Sequence, residues 1–77
     1  MNTNTILPAT ITLTAAAGIV TATVSLQDGE VLNTFRTRDS LGLVQRLDRQ
    51  MRASGIRRNG YATDDHGDMV AEAFILA

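Results

Sequence analysis

From Thr10 to Leu26 the chain alternates between apolar and small polar residues with a period of two. Ile11, Leu13 and Ala15 fall on one face, with Thr10, Thr12 and Thr14 on the other. Val20, Ala22, Val24 and Leu26 then alternate with Ile19, Thr21, Thr23 and Ser25. Such alternation, rich in β-branched side chains, predicts half-buried antiparallel strands. Ala17-Gly18 and Asp28-Gly29 offer two-residue hairpin loops, the second with a type I′ signal. With those loops, Ala15 pairs with Val20, Leu13 with Ala22 and Ile11 with Val24. Beyond them, Leu26 pairs with Val31, Val24 with Asn33 and Ala22 with Phe35. Both hairpins turn their apolar residues to the same side, which a slip of one residue would reverse. Asn33 is the polar misfit on that face.

The period changes after Arg38. Leu43, Val44, Leu47 and Met51 follow the spacing of one helical face, predicting a helix over about residues 40–54. Asp39 or Ser40 offers an N-cap, and Gly55 a left-handed stop with Ile56 folding back onto Met51. Turn residues dominate "RRNGYATDDHGD". In "MVAEAFILA", Val70, Glu72, Phe74 and Leu76 alternate with Ala71, Ala73 and Ile75, which predicts a short C-terminal strand over 69–77. The expectation is a single α+β domain over 1–77: a three-stranded meander over about 9–37, one amphipathic helix packed on it, and the final strand, in the order β-β-β-α-β. The expected core is Ile11, Leu13, Val20, Val24, Leu26, Val31, Phe35, Val44, Leu47, Met51 and Phe74.

Composition sharpens this picture in two respects. The chain has 77 residues and no cysteine, so its core works without disulfides or thiolate-bound metal. The opening "MNTNTILPAT" has no basic, apolar leader pattern, and no apolar run reaches membrane-spanning length, so the expected location is the cytoplasm. Charge is segregated. All seven basic residues are arginines between Arg36 and Arg58, accompanied there only by Asp39 and Asp48, although the formal net charge is −1. On the helix, Arg46 and Arg49 lie opposite the apolar stripe, and Asp48 is spaced to pair with Arg52.

The chemistry these residues suit is recognition. Arg36, Arg46, Arg49, Arg57 and Arg58 offer guanidinium groups to carboxylates or phosphates. Asp64, Asp65 and Asp68, around His66, offer the opposite charge to a basic partner. Their spacing matches no calcium loop, and a surface turn accounts for them, so no metal site, cofactor or catalytic residue is assigned. Phosphate-binding glycine loops and dinucleotide fingerprints are absent from the sequence, and the expected class is non-enzymatic.

In size and layout the chain resembles the small anti-CRISPR proteins of phages and mobile elements. That resemblance implies a CRISPR-Cas effector of the host as partner and the host cytoplasm as location. It implies inhibition by blocking DNA binding or nuclease recruitment; separately, so small a core admits support from a homodimer. The chain is also similar to the β-β-β-α DNA-binding domains of mobile-element integrases. That resemblance implies a nucleic-acid-binding accessory protein whose outward Thr21, Thr23, Thr34 and Arg36 face bases.

Overall fold

The computed structural model describes residues 6–76; residues 1–5 and 77 of the expected domain lie outside the described residues. The chain is α+β, with one antiparallel sheet and one helix. Its elements are β1 (Ile6–Ala16), β2 (Ile19–Leu26), β3 (Val31–Arg38), α1 (Leu43–Ala53), β4 (Ile56–Arg58), β5 (Ala62–Thr63) and β6 (Met69–Leu76). The sheet runs β3-β2-β1-β6-β4, with β5 also paired to β6. The order is therefore β-β-β-α-β-β-β, richer by two short strands than the predicted β-β-β-α-β.

The first hairpin has the predicted register, with Ile11 opposite Val24 and Leu13 opposite Ala22. Ala17 (φ 54°) and Gly18 (φ 78°) both take the positive φ that a type I′ turn demands. The second hairpin departs from expectation. Gly29 donates to the Leu26 carbonyl at 2.9 Å, and Leu26 donates to the Glu30 carbonyl at 2.8 Å. Only Gly29 has positive φ (93°), so Gln27 and Asp28 form an ordinary turn and Gly29 a bulge. Asp28 Oδ1 stabilises the turn by accepting the Glu30 amide at 2.9 Å. The bulge at Gly29 sets Val31 opposite Ser25 instead of Leu26, and a second irregularity between Ser25 and Val24 restores the predicted Val24–Asn33 and Ala22–Phe35 pairs. Val31, an expected core residue, is consequently 57% exposed.

β6 enters between β1 and β4, with Ile11 opposite Ala71 and Ala9 opposite Ala73. Its inward residues are thus the alanines, buried beneath the helix. Phe74 was expected in the core but belongs to the opposite face, where it pairs with Pro8 and Arg57 and is half-buried. The core comprises Ile11, Leu13, Val20, Val24, Leu47 and Met51 as predicted, together with Ala9, Ala22, Ile56, Ala71 and Ala73. Leu26, Phe35 and Val44 are only half-buried at its margin.

Helix α1 carries the chain from the β3 edge of the sheet to the β4 edge. It begins three residues later than predicted, at Leu43. Neither Asp39 nor Ser40 is its cap; Gly42 holds that position at φ 79° without a side-chain bond. Its end matches the sequence: Ser54 and Gly55 donate to the Met51 and Arg52 carbonyls, and Gly55 turns left-handed at φ 77°. Among the described residues no helix is long and apolar enough to cross a membrane.

Candidate functional site: the arginines at the helix C-terminus

The arginines divide into those bound within the chain and those presented to solvent. Arg46 belongs to the first group. Its Nε donates to Thr37 Oγ1 at 2.9 Å, and Nη1 to the Leu41 carbonyl at 2.7 Å. Nη2 donates to the Arg38 carbonyl and to Ser40 Oγ, both at 2.9 Å. One guanidinium therefore ties the turn before the helix to the end of β3, in place of a side-chain cap. Its donors are spent there, which assigns Arg46 to the fold and leaves it little for a partner.

Arg58 is likewise engaged. It grips Asp48 with two parallel bonds, Nε to Oδ1 and Nη2 to Oδ2, each 2.7 Å, the geometry natural to a planar guanidinium and a carboxylate. Asp48 thus pairs with an arginine on β4, not with Arg52 one helical turn away. The Arg58 guanidinium also lies 4.2 Å from the centroid of the Tyr61 ring. Hydrogen bonding to Asp48 raises the Arg58 pKa against the opposing effect of burial, so this arginine stays charged.

Burial also raises the pKa of Tyr61, more than the nearby Arg58 charge lowers it. Its hydroxyl has no hydrogen-bond partner among the described residues. The fold therefore favours the neutral phenol. That contribution to stability is complete below the unfolded value, about 10, and is lost as pH rises through the higher folded one. Tyr61 is the only tyrosine and there is no tryptophan, so ultraviolet titration reads this group alone. The tyrosinate midpoint should be higher in the folded protein than in denaturant; an equal or lower one contradicts this environment.

Five arginines are exposed: Arg36 and Arg38 on β3, and Arg49, Arg52 and Arg57 around the end of α1. Arg49 and Arg52 project from the solvent side of α1 beside Asp48 and Gln45. Arg57 comes from β4 and wraps back toward the helix end, where its Nη1 makes only long contacts to the Arg52 (3.5 Å) and Ile56 (3.3 Å) carbonyls. Arg52, Arg57, Arg58 and Asp48 rim a cleft of about 280 Å³ floored by Ile11, Met51 and Ile56. The only ion pair among the described residues is Arg58–Asp48. Arg49, Arg52 and Arg57 thus face solvent without an ion-pair partner among the described residues, Arg52 and Arg57 at the rim of the small apolar floor. This arrangement can hold an acidic side chain, with its carboxylate among the guanidiniums and its aliphatic stem on Ile56.

Arg36 stands apart on the open face of the sheet, opposite Thr21. The acidic turn stands apart as well. Asp64 Oδ1 accepts the His66 and Asp68 amides, each at 2.9 Å, so this carboxylate organises its own loop. Asp65 is exposed and Asp68 half-buried. Asp68 lines a groove with Asp39, Leu43 and Val44, which places the acidic turn by the helix N-terminus, at the other end of α1 from the arginine cluster.

Sequence reasoning passed over Arg52 as a site residue, although its spacing of three from Arg49 puts the two on one helical face. The apolar floor carried no local signal, because Ile11 and Ile56 meet only through the sheet. Comparison with protein-family models, with curated proteins and with solved structures returns no match to this chain.

Proposed function

We propose that this chain is a non-enzymatic binding protein that acts by occupying a surface of a larger protein. In its most specific form it is an anti-CRISPR-type inhibitor, binding a CRISPR-Cas effector in the host cytoplasm and blocking DNA binding or nuclease recruitment. The observation that carries this reading is Arg52 and Arg57, without an ion-pair partner at the rim of the cleft over Met51 and Ile56, with Arg49 likewise unpaired beside Arg52 on the helix. Arginine around an apolar anchor site is the composition of interface hot spots. The acidic turn, with Asp65 and Asp68, supplies the opposite charge at the far end of the helix and suits a basic nucleic-acid path on the same effector.

The nucleic-acid reading has its own support in the open face of the sheet, where Thr23 pairs with Thr34 and Thr21 with Arg36. Glu72, exposed and opposite Thr10 on that face, disfavours a phosphate backbone there. The protein reading is therefore preferred.

The test is phage plating on a CRISPR-immune host that expresses the chain. Plating should be restored by the natural sequence and lost with Arg49→Glu/Arg52→Glu/Arg57→Glu. These side chains are exposed, so the folded circular dichroism spectrum should persist in the triple variant. Stranding a buried interfacial charge costs about 2–5 kcal/mol, against almost nothing for a solvated one. Pull-down from the same host should then lose the effector. If expression leaves plating unchanged and no protein is captured, the reading is wrong. Duplex binding with a steep salt dependence would favour the nucleic-acid alternative instead.

A further inference from the structure

One flank of α1 carries opposite charge at its two ends. Val44, Asp48 and Arg52, each four residues from the next, run along it. Val44 lines one groove with Asp39 and Asp68, while Asp48 and Arg52 line the cleft over Met51 and Ile56. Carboxylates thus gather at the N-terminal end of this flank and guanidiniums at its C-terminal end. Asp39 and Asp65 at the first end, and Arg52 and Arg57 at the second, are exposed and in no ion pair among the described residues. The formal net charge of −1 leaves little general repulsion between two copies.

The N-terminal end also carries an apolar knob. Leu41 is 99% exposed. Arg46 fixes its turn by donating to the carbonyls of Arg38 and Leu41 and to Ser40 Oγ. A side chain on a turn held in this way loses little freedom on docking. The matching hole lies at the other end of the same helix, in the cleft of about 280 Å³ floored by Ile11, Met51 and Ile56. In shape and in charge this surface is complementary to a copy of itself turned end for end.

We propose that this chain pairs with a second copy of itself through α1, antiparallel about a two-fold axis midway between Gln45 and Asp48. Leu41, Gln45, Asp48 and Arg52 follow spacings of four, three and four, the seam of paired helices. About that axis Gln45 faces the partner's Asp48. That carboxylate is gripped by Arg58 and still has lone pairs for the Gln45 amide. Leu41 faces the partner's Arg52 and covers the partner's cleft. Asp39 and Asp65 approach the partner's Arg52 and Arg57, twice by symmetry. Parallel pairing would set arginines against arginines. The dimer occupies the cleft assigned above to a larger protein, so the second copy competes with that protein for one surface. The pairing does not rest on that assignment, and it is measured on the isolated chain.

Sedimentation of the natural chain should show a monomer–dimer equilibrium that weakens as salt rises. Arg52→Glu/Arg57→Glu and Asp39→Arg/Asp65→Arg should each raise its dissociation constant at least about tenfold. All four side chains are exposed, so both variants should keep the folded circular dichroism spectrum. Mixing the two variants should restore a dimer, because each then meets the charge that its own copy lacks. The seam has a separate readout, since the natural chain has no cysteine. A short bifunctional maleimide should join Gln45→Cys to its copy much faster than Gln50→Cys, which lies on the opposite flank of the helix. The proposal is overturned by a natural chain that stays monomeric to roughly millimolar concentration. It is also overturned by a mixture no more associated than its two components, or by equal crosslinking at Gln45 and Gln50.

Discussion

Replacing Leu47 with alanine should leave the chain largely unfolded at room temperature. Leu47 is fully buried, on the face of α1 that covers the sheet, in one cluster with Ile11, Val24 and Met51. Removing a buried leucine side chain costs about 2–5 kcal/mol, the spread reflecting how far the site collapses. Collapse is limited here, because the layer beneath the helix includes Ala22, Ala71 and Ala73, whose methyl groups cannot swing into the void. A core of this size supplies about 3–5 kcal/mol of net stability in all. The loss therefore matches the whole. Far-ultraviolet circular dichroism should show a weak, non-cooperative signal for Leu47→Ala. Leu47→Met, which conserves volume, should fold with a loss under about 1.5 kcal/mol. A cooperative melt of Leu47→Ala near that of the natural sequence would remove Leu47 from the core.

Gly55→Ala should be the most damaging of the glycine-to-alanine changes. Two costs coincide at this position. Its φ of 77° is left-handed, a region that costs an L-residue about 1–2 kcal/mol. A Cβ there would also lie 2.9 Å from the carbonyl oxygen of Leu76, a backbone atom of the paired strand β6. That strand cannot step aside cheaply, since the Leu76 amide donates to the Gly55 carbonyl at 2.9 Å. The expected loss is about 2–4 kcal/mol, conformational cost and displaced backbone together. Gly29→Ala shares the positive φ but meets open space, so it should lose only about 1–2 kcal/mol. Gly60→Ala has neither problem and should be neutral, or stabilising by up to about 1 kcal/mol. Urea midpoints of the three variants should fall in that order. Equal losses at Gly55 and Gly29 would show that the approach of β6 is not a constraint.

Gly55 illustrates how much was legible in the chain. Its role as a helix stop follows from its place after the Leu43-Leu47-Met51 stripe, because capping is a local event. Its contact with Leu76 does not, since β6 lies some twenty residues on. The same division runs through the strands. The Ile11–Val24 and Ala22–Phe35 pairs followed from alternation and turn position. The Val31 pairing failed, because a sequence of Asp-Gly suits both a two-residue loop and a bulged one, and the two differ by one residue in register. Phe74 was assigned to the core, but alternation alone does not say which face of β6 turns inward. Pairing of β6 with β1 put Ala71 and Ala73 inward instead, where small side chains let the helix lie close.

The site was legible as a composition and not as a constellation. Seven arginines within one stretch announced an interaction surface, and Arg49 was correctly placed on the outside of the helix. Which guanidiniums remain available depended on contacts across the fold. Arg46 is absorbed by the turn carbonyls of Arg38 and Leu41, and Arg58 by Asp48, ten residues earlier in the chain. The sequence by itself determined what short-range periodicity and turn chemistry can encode: strand faces, the helix stripe, the stop at Gly55 and the charge segregation. Only the tertiary structure decided the insertion of β6 beside β1, the alanine layer under α1 and the sorting of the arginines into bound and presented groups. The physical reason is range. A side chain's choice between neighbours is set by strand pairing that joins distant segments, and a guanidinium takes whichever carboxylate or carbonyl that pairing brings within reach.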